Sequence, residues 1–215
     1  MFKNLLTAFL VPLSILLPIG LFLSKYRYAD KAARTLFYYL IMAGSINLTA
    51  IILSNYSVRN LFLLHIFTIL EIVFFMLYFS FVFQDRKIKK VLRIAMIGLP
   101  ILFVLNFVFL QSINEFNTYT RPLESISITV VSLLFLYKSG FVEDWLKQPT
   151  SWINIGVLIY FPTATLIFIL SNYFVFVSSN RALNSIIWDI HSILVLGMYL
   201  AFAKGFTLIK KDNNG

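Results

Sequence analysis

The sequence predicts an all-α polytopic membrane protein with seven transmembrane helices, and three observations carry that reading. The chain is 60% hydrophobic and 13% charged, against about 25% charged for an ordinary soluble domain. Its mean hydropathy is +0.85. Its apolar residues gather into seven runs, each close to the ~20 residues that cross a hydrocarbon core of about 30 Å at 1.5 Å per residue. The connections between runs are short, so residues 1–215 read as one transmembrane domain, and any chemistry belongs inside the bundle or at its rim.

The first run, Leu5 to Ser24, looks like a signal peptide, but no small-residue cleavage site precedes Lys25 and the basic loop that follows resists export, so it reads as a retained helix. The second and third runs are Thr35 to Ser54 and Leu61 to Phe83, and the fourth, Val91 to Leu110, contains Pro100. The fifth, Leu123 to Phe141, is the most polar, holding Glu124, Ser125, Ser127, Thr129 and Ser132. Omitting it reverses the sidedness of everything downstream and spoils the charge asymmetry described next, so it is kept. The sixth, Trp152 to Val175, contains Pro162, and the seventh is Asn184 to Phe206.

A net charge of +9 could suit nucleic acid, but its distribution points elsewhere. With seven crossings, the loops Lys25 to Arg34, Gln84 to Arg93 and Lys138 to Lys147 and the tail from Lys204 share one side and hold fourteen of the eighteen Lys and Arg. Lys3, Arg59, Arg121 and Arg181 are left for the other side. This is the positive-inside pattern, with the N-terminus outside and the C-terminus cytoplasmic, in a bacterial inner membrane. Nothing resembles a nucleic-acid or phosphate-binding motif, and with no cysteine there are no disulfides, iron–sulfur clusters or thiolate zinc sites.

Ile-Leu-Ser-Asn-Tyr occurs twice, at Ile52 to Tyr56 and Ile169 to Tyr173, near the outer ends of the second and sixth runs. Leu21-Phe22-Leu23-Ser24-Lys25 and Leu134-Phe135-Leu136-Tyr137-Lys138 close the first and fifth, and a histidine follows in the third (His65) and seventh (His191). The order suggests parallel repeats, 5–83 and 123–206, joined by linker helix 91–110, a plan used by transporters. In length and three-one-three arrangement the chain is similar to the SWEET and PQ-loop transporters. The likeness is architectural: there is no Pro-Gln pair, and the second helix has no proline to match Pro162.

Ionisable groups inside a membrane helix cost about 2.5–3.5 kcal/mol each on insertion scales and so mark interior or functional positions. The third helix carries His65, Thr68 and Glu71, and the seventh carries Ser185, Trp188, Asp189, His191 and Ser192. Counted from the outer ends, His65 lies about 6 Å deep, Asp189 about 8 Å, His191 about 11 Å and Glu71 about 15 Å. His65 and Glu71 are roughly 120° apart around their helix, so Glu71 needs a partner from another helix. Ser185, Asp189 and Ser192 share a face by the i, i+4, i+7 rule. These residues predict a cavity between the third and seventh helices, completed by Asn47 and Thr163 and open to the exterior. On this reading no Lys or Arg reaches that depth, and the carboxylates are neutralised by the histidines, by protons or by a ligand. Tyr38, Tyr39, Trp145, Trp152 and Tyr173 lie near helix ends as interfacial aromatic belts.

Three functions fit such a cavity. One is binding or transport of a small polar or lipid-like molecule, with membrane lipids, a membrane protein partner or a second copy as associates and no cofactor. Another is a membrane-embedded metal-dependent lipid hydrolase, with His65, His191 and Asp189 or Glu71 as zinc ligands; the His-rich pattern of ceramidase-type hydrolases is absent, which argues against an enzyme. The third is structural, the polar residues stapling helices at about 0.6 kcal/mol each.

The segments Asn60 to Glu71 (NLFLLHIFTILE), Ser151 to Phe161 (SWINIGVLIYF) and Trp188 to Leu194 (WDIHSIL) resemble a family of uncharacterised multi-pass proteins of Bacteroidota-type bacteria. Phe67 stands where that family looks to have tyrosine, and Ile72 where it has phenylalanine. The resemblance implies the same topology and marks His65 and Glu71, without implying a mechanism.

Overall fold

The structure is a computed structural model that describes residues 10–140, 144–178 and 180–210. Among these residues all regular secondary structure is helical, with no strand. The helices are α1 (Val11–Leu23), α2 (Lys31–Asn55), α3 (Phe62–Val82), α4 (Arg86–Phe109), α5 (Thr120–Ser139), α6 (Pro149–Asn172) and α7 (Arg181–Thr207). Of these α2, α3, α4, α6 and α7 are long and apolar enough to cross a membrane. The expected start of the first helix at Leu5, the end of the fifth at Phe141 and the basic residues Lys3 and Lys211 lie outside the described residues.

Several helices begin earlier than their apolar runs, because a capping side chain adds a polar first turn. Asp30 accepts from the Ala33 amide at 2.7 Å and starts α2 four residues ahead of Thr35. Asp85 caps α4 through the Lys87 and Ile88 amides at 2.7 and 3.3 Å, and Asn180 caps α7 through Leu183 at 3.0 Å. Pro149 opens α6, where its missing N–H costs nothing. The fifth helix starts at Thr120 rather than Leu123, and Gly140 ends it with φ +65°. Within α1 the regular helix breaks at Ile15, where Pro18 has no N–H to offer the carbonyl of Ser14.

Six helices form a ring in the order α1, α2, α3, α5, α6, α7, and α7 packs back on α1. The fourth helix stands outside the ring against α3. At one end of the bundle Phe22 stacks on Phe37 at 4.6 Å and meets Phe206 at 4.8 Å, which ties α1, α2 and α7 together. At that end Lys204 Nζ lies 5.9 Å from the Trp152 ring, and Lys138 acts on Asp85. The basic segments are thus gathered at one end. Gly156 lets α6 and α7 approach until an added Cβ would stand 2.8 Å from Phe202 and 3.0 Å from the Met198 carbonyl.

Polarity is inverted across α5. Arg121, Glu124, Ser125 and Ser132 are buried, while Leu123, Ile126, Val130 and Leu133 are exposed. Ser132 donates to Asn154 of α6 at 2.5 Å. A helix that shows its aliphatic face outwards and its charges inwards suits a hydrocarbon solvent.

The two Ser-Asn-Tyr copies close α2 and α6 but sit differently. Asn55 is exposed, whereas Asn172 bridges to Phe116 and α6 runs on into a π-helical turn, Tyr173–Val177.

Candidate functional site

The polar centre of the bundle is built around a residue that charge counting along the sequence left in a loop. Because α5 begins at Thr120, Arg121 falls in its first turn and points inward, 3% exposed. The expectation that no Lys or Arg reaches the depth of Glu71 is therefore wrong. Arg121 Nη1 donates to Glu71 Oε2 and, at 2.6 Å, to Glu124 Oε2 three residues along its own helix. Arg121 Nη2 donates to the Tyr160 hydroxyl at 2.9 Å, and that hydroxyl lies 3.0 Å from His191 Nε2. Tyr39 donates to the other oxygen of Glu71 at 2.5 Å. The network thus joins α2, α3, α5, α6 and α7.

Aromatic rings enclose the guanidinium, with the Phe67 and Phe168 centroids each 5.2 Å from its carbon. A buried arginine is tolerable only with paired charge and satisfied donors, and two carboxylates, a hydroxyl and ring faces supply both. Tyr39 is accordingly not an interface residue: it is 1% exposed, whereas its neighbour Tyr38, 48% exposed, reaches Tyr26 at the rim.

A cavity of about 760 Å³ lies against this network. Its inner wall holds Tyr39, Glu71, Arg121, Tyr160, His191 and Tyr199. Aliphatic and aromatic residues line its sides, and Asn47, Ser54, Asn55 and Asn60 its other polar wall. Asn60 and Leu61 are shared with a second cavity of about 720 Å³ that reaches Arg59, Glu115 and Asn172. The 110–119 connection folds into the bundle: Asn117, fully buried, donates to Thr68 at 2.5 Å and to the Leu64 carbonyl at 3.2 Å.

Of the residues singled out in the sequence, Asn47, Thr68, Glu71, His191 and Ser192 line the large cavity. Thr163, Ser185, Trp188 and Asp189 do not. Trp188 bonds Asn184 at 2.9 Å and its ring meets those of His191, Phe168 and Phe116. His65 turns away: its Nε2 lies 3.2 Å from the Glu115 carbonyl and its ring lies against Phe107 of α4. The enclosure expected between the third and seventh helices, completed by Asn47 and Thr163, is bounded by six helices, with α1 and α5 added.

His65, Glu71, Asp189 and His191 do not gather as a metal site would require, and no group of three His, Cys, Asp or Glu among the described residues is placed to hold an ion. Arg121, Glu124, Tyr39, Tyr160 and Asn117 were missed as site residues. One signal for Arg121 was available, since Glu71 needed a partner and few cations lie on its side of the chain. No protein family, curated protein or solved structure matches this chain.

Proposed function

We propose that this is a seven-span bacterial inner-membrane protein, N-terminus outside and C-terminus cytoplasmic, whose cavity binds or transports a small polar or lipid-like molecule. One observation carries the reading: a void of about 760 Å³ borders a buried, charge-paired network. A protein using those charges only to join helices has no need of that space beside them. The mix of carboxylate, guanidinium, imidazole and tyrosine hydroxyls at one end, with aliphatic walls, suits an amphipathic ligand whose polar group sits by Glu71 and His191. The gathering of basic segments at the opposite end from Arg59 supports the orientation and an outward-facing mouth. The cyclic order of the six helices, with α4 outside, is the order that a two-fold duplication with α4 as linker would give. The likeness to multi-pass Bacteroidota-type proteins favours the same location.

A structural reading is favoured by a separate fact: Glu71, Arg121 and Tyr160 already satisfy one another without any ligand. Native mass spectrometry of the protein in nanodiscs separates the two. Binding predicts a retained molecule that is lost when Asn47→Trp and Ser192→Trp fill the cavity. Wild-type protein that retains nothing, and is stabilised by no member of a lipid and metabolite panel, would leave only the structural role.

A further inference from the structure

We propose that Glu71 and Glu124 together hold one exchangeable proton, which makes the inner end of the cavity a proton-binding site. The argument is a charge count in a closed space. Both carboxyl groups are fully buried, at 0% exposure, and both bond the same nitrogen, Arg121 Nη1. That one guanidinium can balance one carboxylate.

The remaining groups facing the pair supply no second positive charge. From α2 comes the Tyr39 hydroxyl, which donates to Glu71. From α6 comes Tyr160, which receives Arg121 Nη2 and lies 3.0 Å from His191 Nε2 on α7; an imidazole buried this close to a guanidinium is neutral. The other titratable residue of α7 at the wall is Tyr199. The described part of α1 has no titratable side chain, and α4 stands outside the ring. With both glutamates ionised, the cluster would carry one uncompensated negative charge in a buried site walled by aromatic and aliphatic side chains, which is strongly unfavourable. A single proton on the pair removes it, as in carboxyl pairs that cannot both ionise.

A second observation points to the same place. Glu124 Oε1 is buried and makes no hydrogen bond within the protein, an odd state for a carboxylate oxygen and a tolerable one for half of a neutral carboxyl. Exchange has a route, because Glu71 and Arg121 line the cavity while Glu124 stands behind them. The proton enters from cavity water onto Glu71 and returns the same way, with no other bond made or broken. The inference goes beyond ligand binding and needs no ligand to be known.

Infrared difference spectroscopy of the protein in nanodiscs tests it through the C=O stretch of a protonated carboxyl. Wild-type protein at neutral pH should show one such band, shifted on exchange into D2O and still present in Asp189→Asn. Both Glu71→Gln and Glu124→Gln should lose it, since either change leaves one carboxylate for one guanidinium. A band that survives in one of the glutamine variants belongs to a carboxyl protonated on its own account and overturns the shared site. For a variant that fails to fold, the wild-type and Asp189→Asn spectra decide: no exchangeable band in wild type, or its loss in Asp189→Asn, overturns the proposal.

Discussion

Arg121 and Glu71, fifty residues apart in the chain, form an ion pair in the middle of the bundle, each almost wholly shielded from solvent. Removing the arginine strands both glutamates that it pairs with. Arg121→Met should therefore destabilise the protein by about 3–5 kcal/mol. Arg121→Lys should recover little, because one ammonium cannot serve the glutamates and Tyr160 from two separate nitrogens. The double variant Glu71→Gln, Arg121→Met should be less damaged than the sum of its single changes. Chemical unfolding in a fixed lipid mixture measures all four, and additive losses would mean that the two residues do not act on each other.

Tyr39 and Tyr38 are neighbours in sequence with opposite fates, which makes them a matched pair. Tyr39→Phe removes the donor to Glu71 Oε1 and should cost about 1–3 kcal/mol. Tyr38→Phe alters an exposed contact with Tyr26 and should stay within about 0.5 kcal/mol. Thermal unfolding of the two variants side by side is the measurement, and equal effects would contradict the burial of Tyr39.

The contact between α6 and α7 should not tolerate a methyl group. Gly156→Ala pushes a carbon against Phe202 and the Met198 carbonyl, so a loss of about 1–3 kcal/mol is expected. Gly98→Ala, on α4, meets nothing within 4 Å and should be neutral or stabilise the helix by up to about 1 kcal/mol. The difference between the two melting temperatures reports the close approach directly.

Asp85 gives the first turn of α4 a dependence on pH. The Lys87 and Ile88 amides hold its carboxylate below the ordinary aspartate range, with help from Lys138 and Lys87. Its folded-state affinity for a proton is thus lower than its unfolded one, so the contribution is complete above the ordinary range and fades as pH falls through the lowered value. Amide exchange at Lys87 and Ile88, corrected for the intrinsic rate, should accelerate on acidification. Asp85→Asn, which caps without ionising, should remove that acceleration.

Hydropathy found the helices because the solvent imposes the pattern, and it missed their ends for the same reason. Asp30, Asp85 and Asn180 begin helices inside segments too polar to register as spans. The pocket was legible in part. Glu71, Thr68 and His191 stand out as polar groups in apolar runs, and their depth follows from counting residues. Counting also sets His65 and Glu71 roughly 120° apart around the axis, but it does not say which neighbour each direction meets, and His65 turns towards α4. Arg121 was hidden by its place in a connection, yet Arg121, Glu124, Ser125 and Ser132 fall on one helical stripe (i, i+3, i+4, i+11) once α5 is extended back to Thr120. Tyr39 could not be told from an interfacial tyrosine by composition, because only packing decides which end of the ring meets water.

The inside-out polarity of α5 bears on how the chain reaches its native state. Alone in hydrocarbon, that segment would expose a guanidinium, a carboxyl and the hydroxyls of Ser125 and Ser132 to acyl chains. It becomes a lipid-compatible surface only after α3 and α6 have taken those groups in. On the seven-span reading proposed above, its entry into the bilayer is a cooperative event, delayed until α6 has been synthesised, and a nascent chain halted before Tyr160 should leave α5 outside the bilayer.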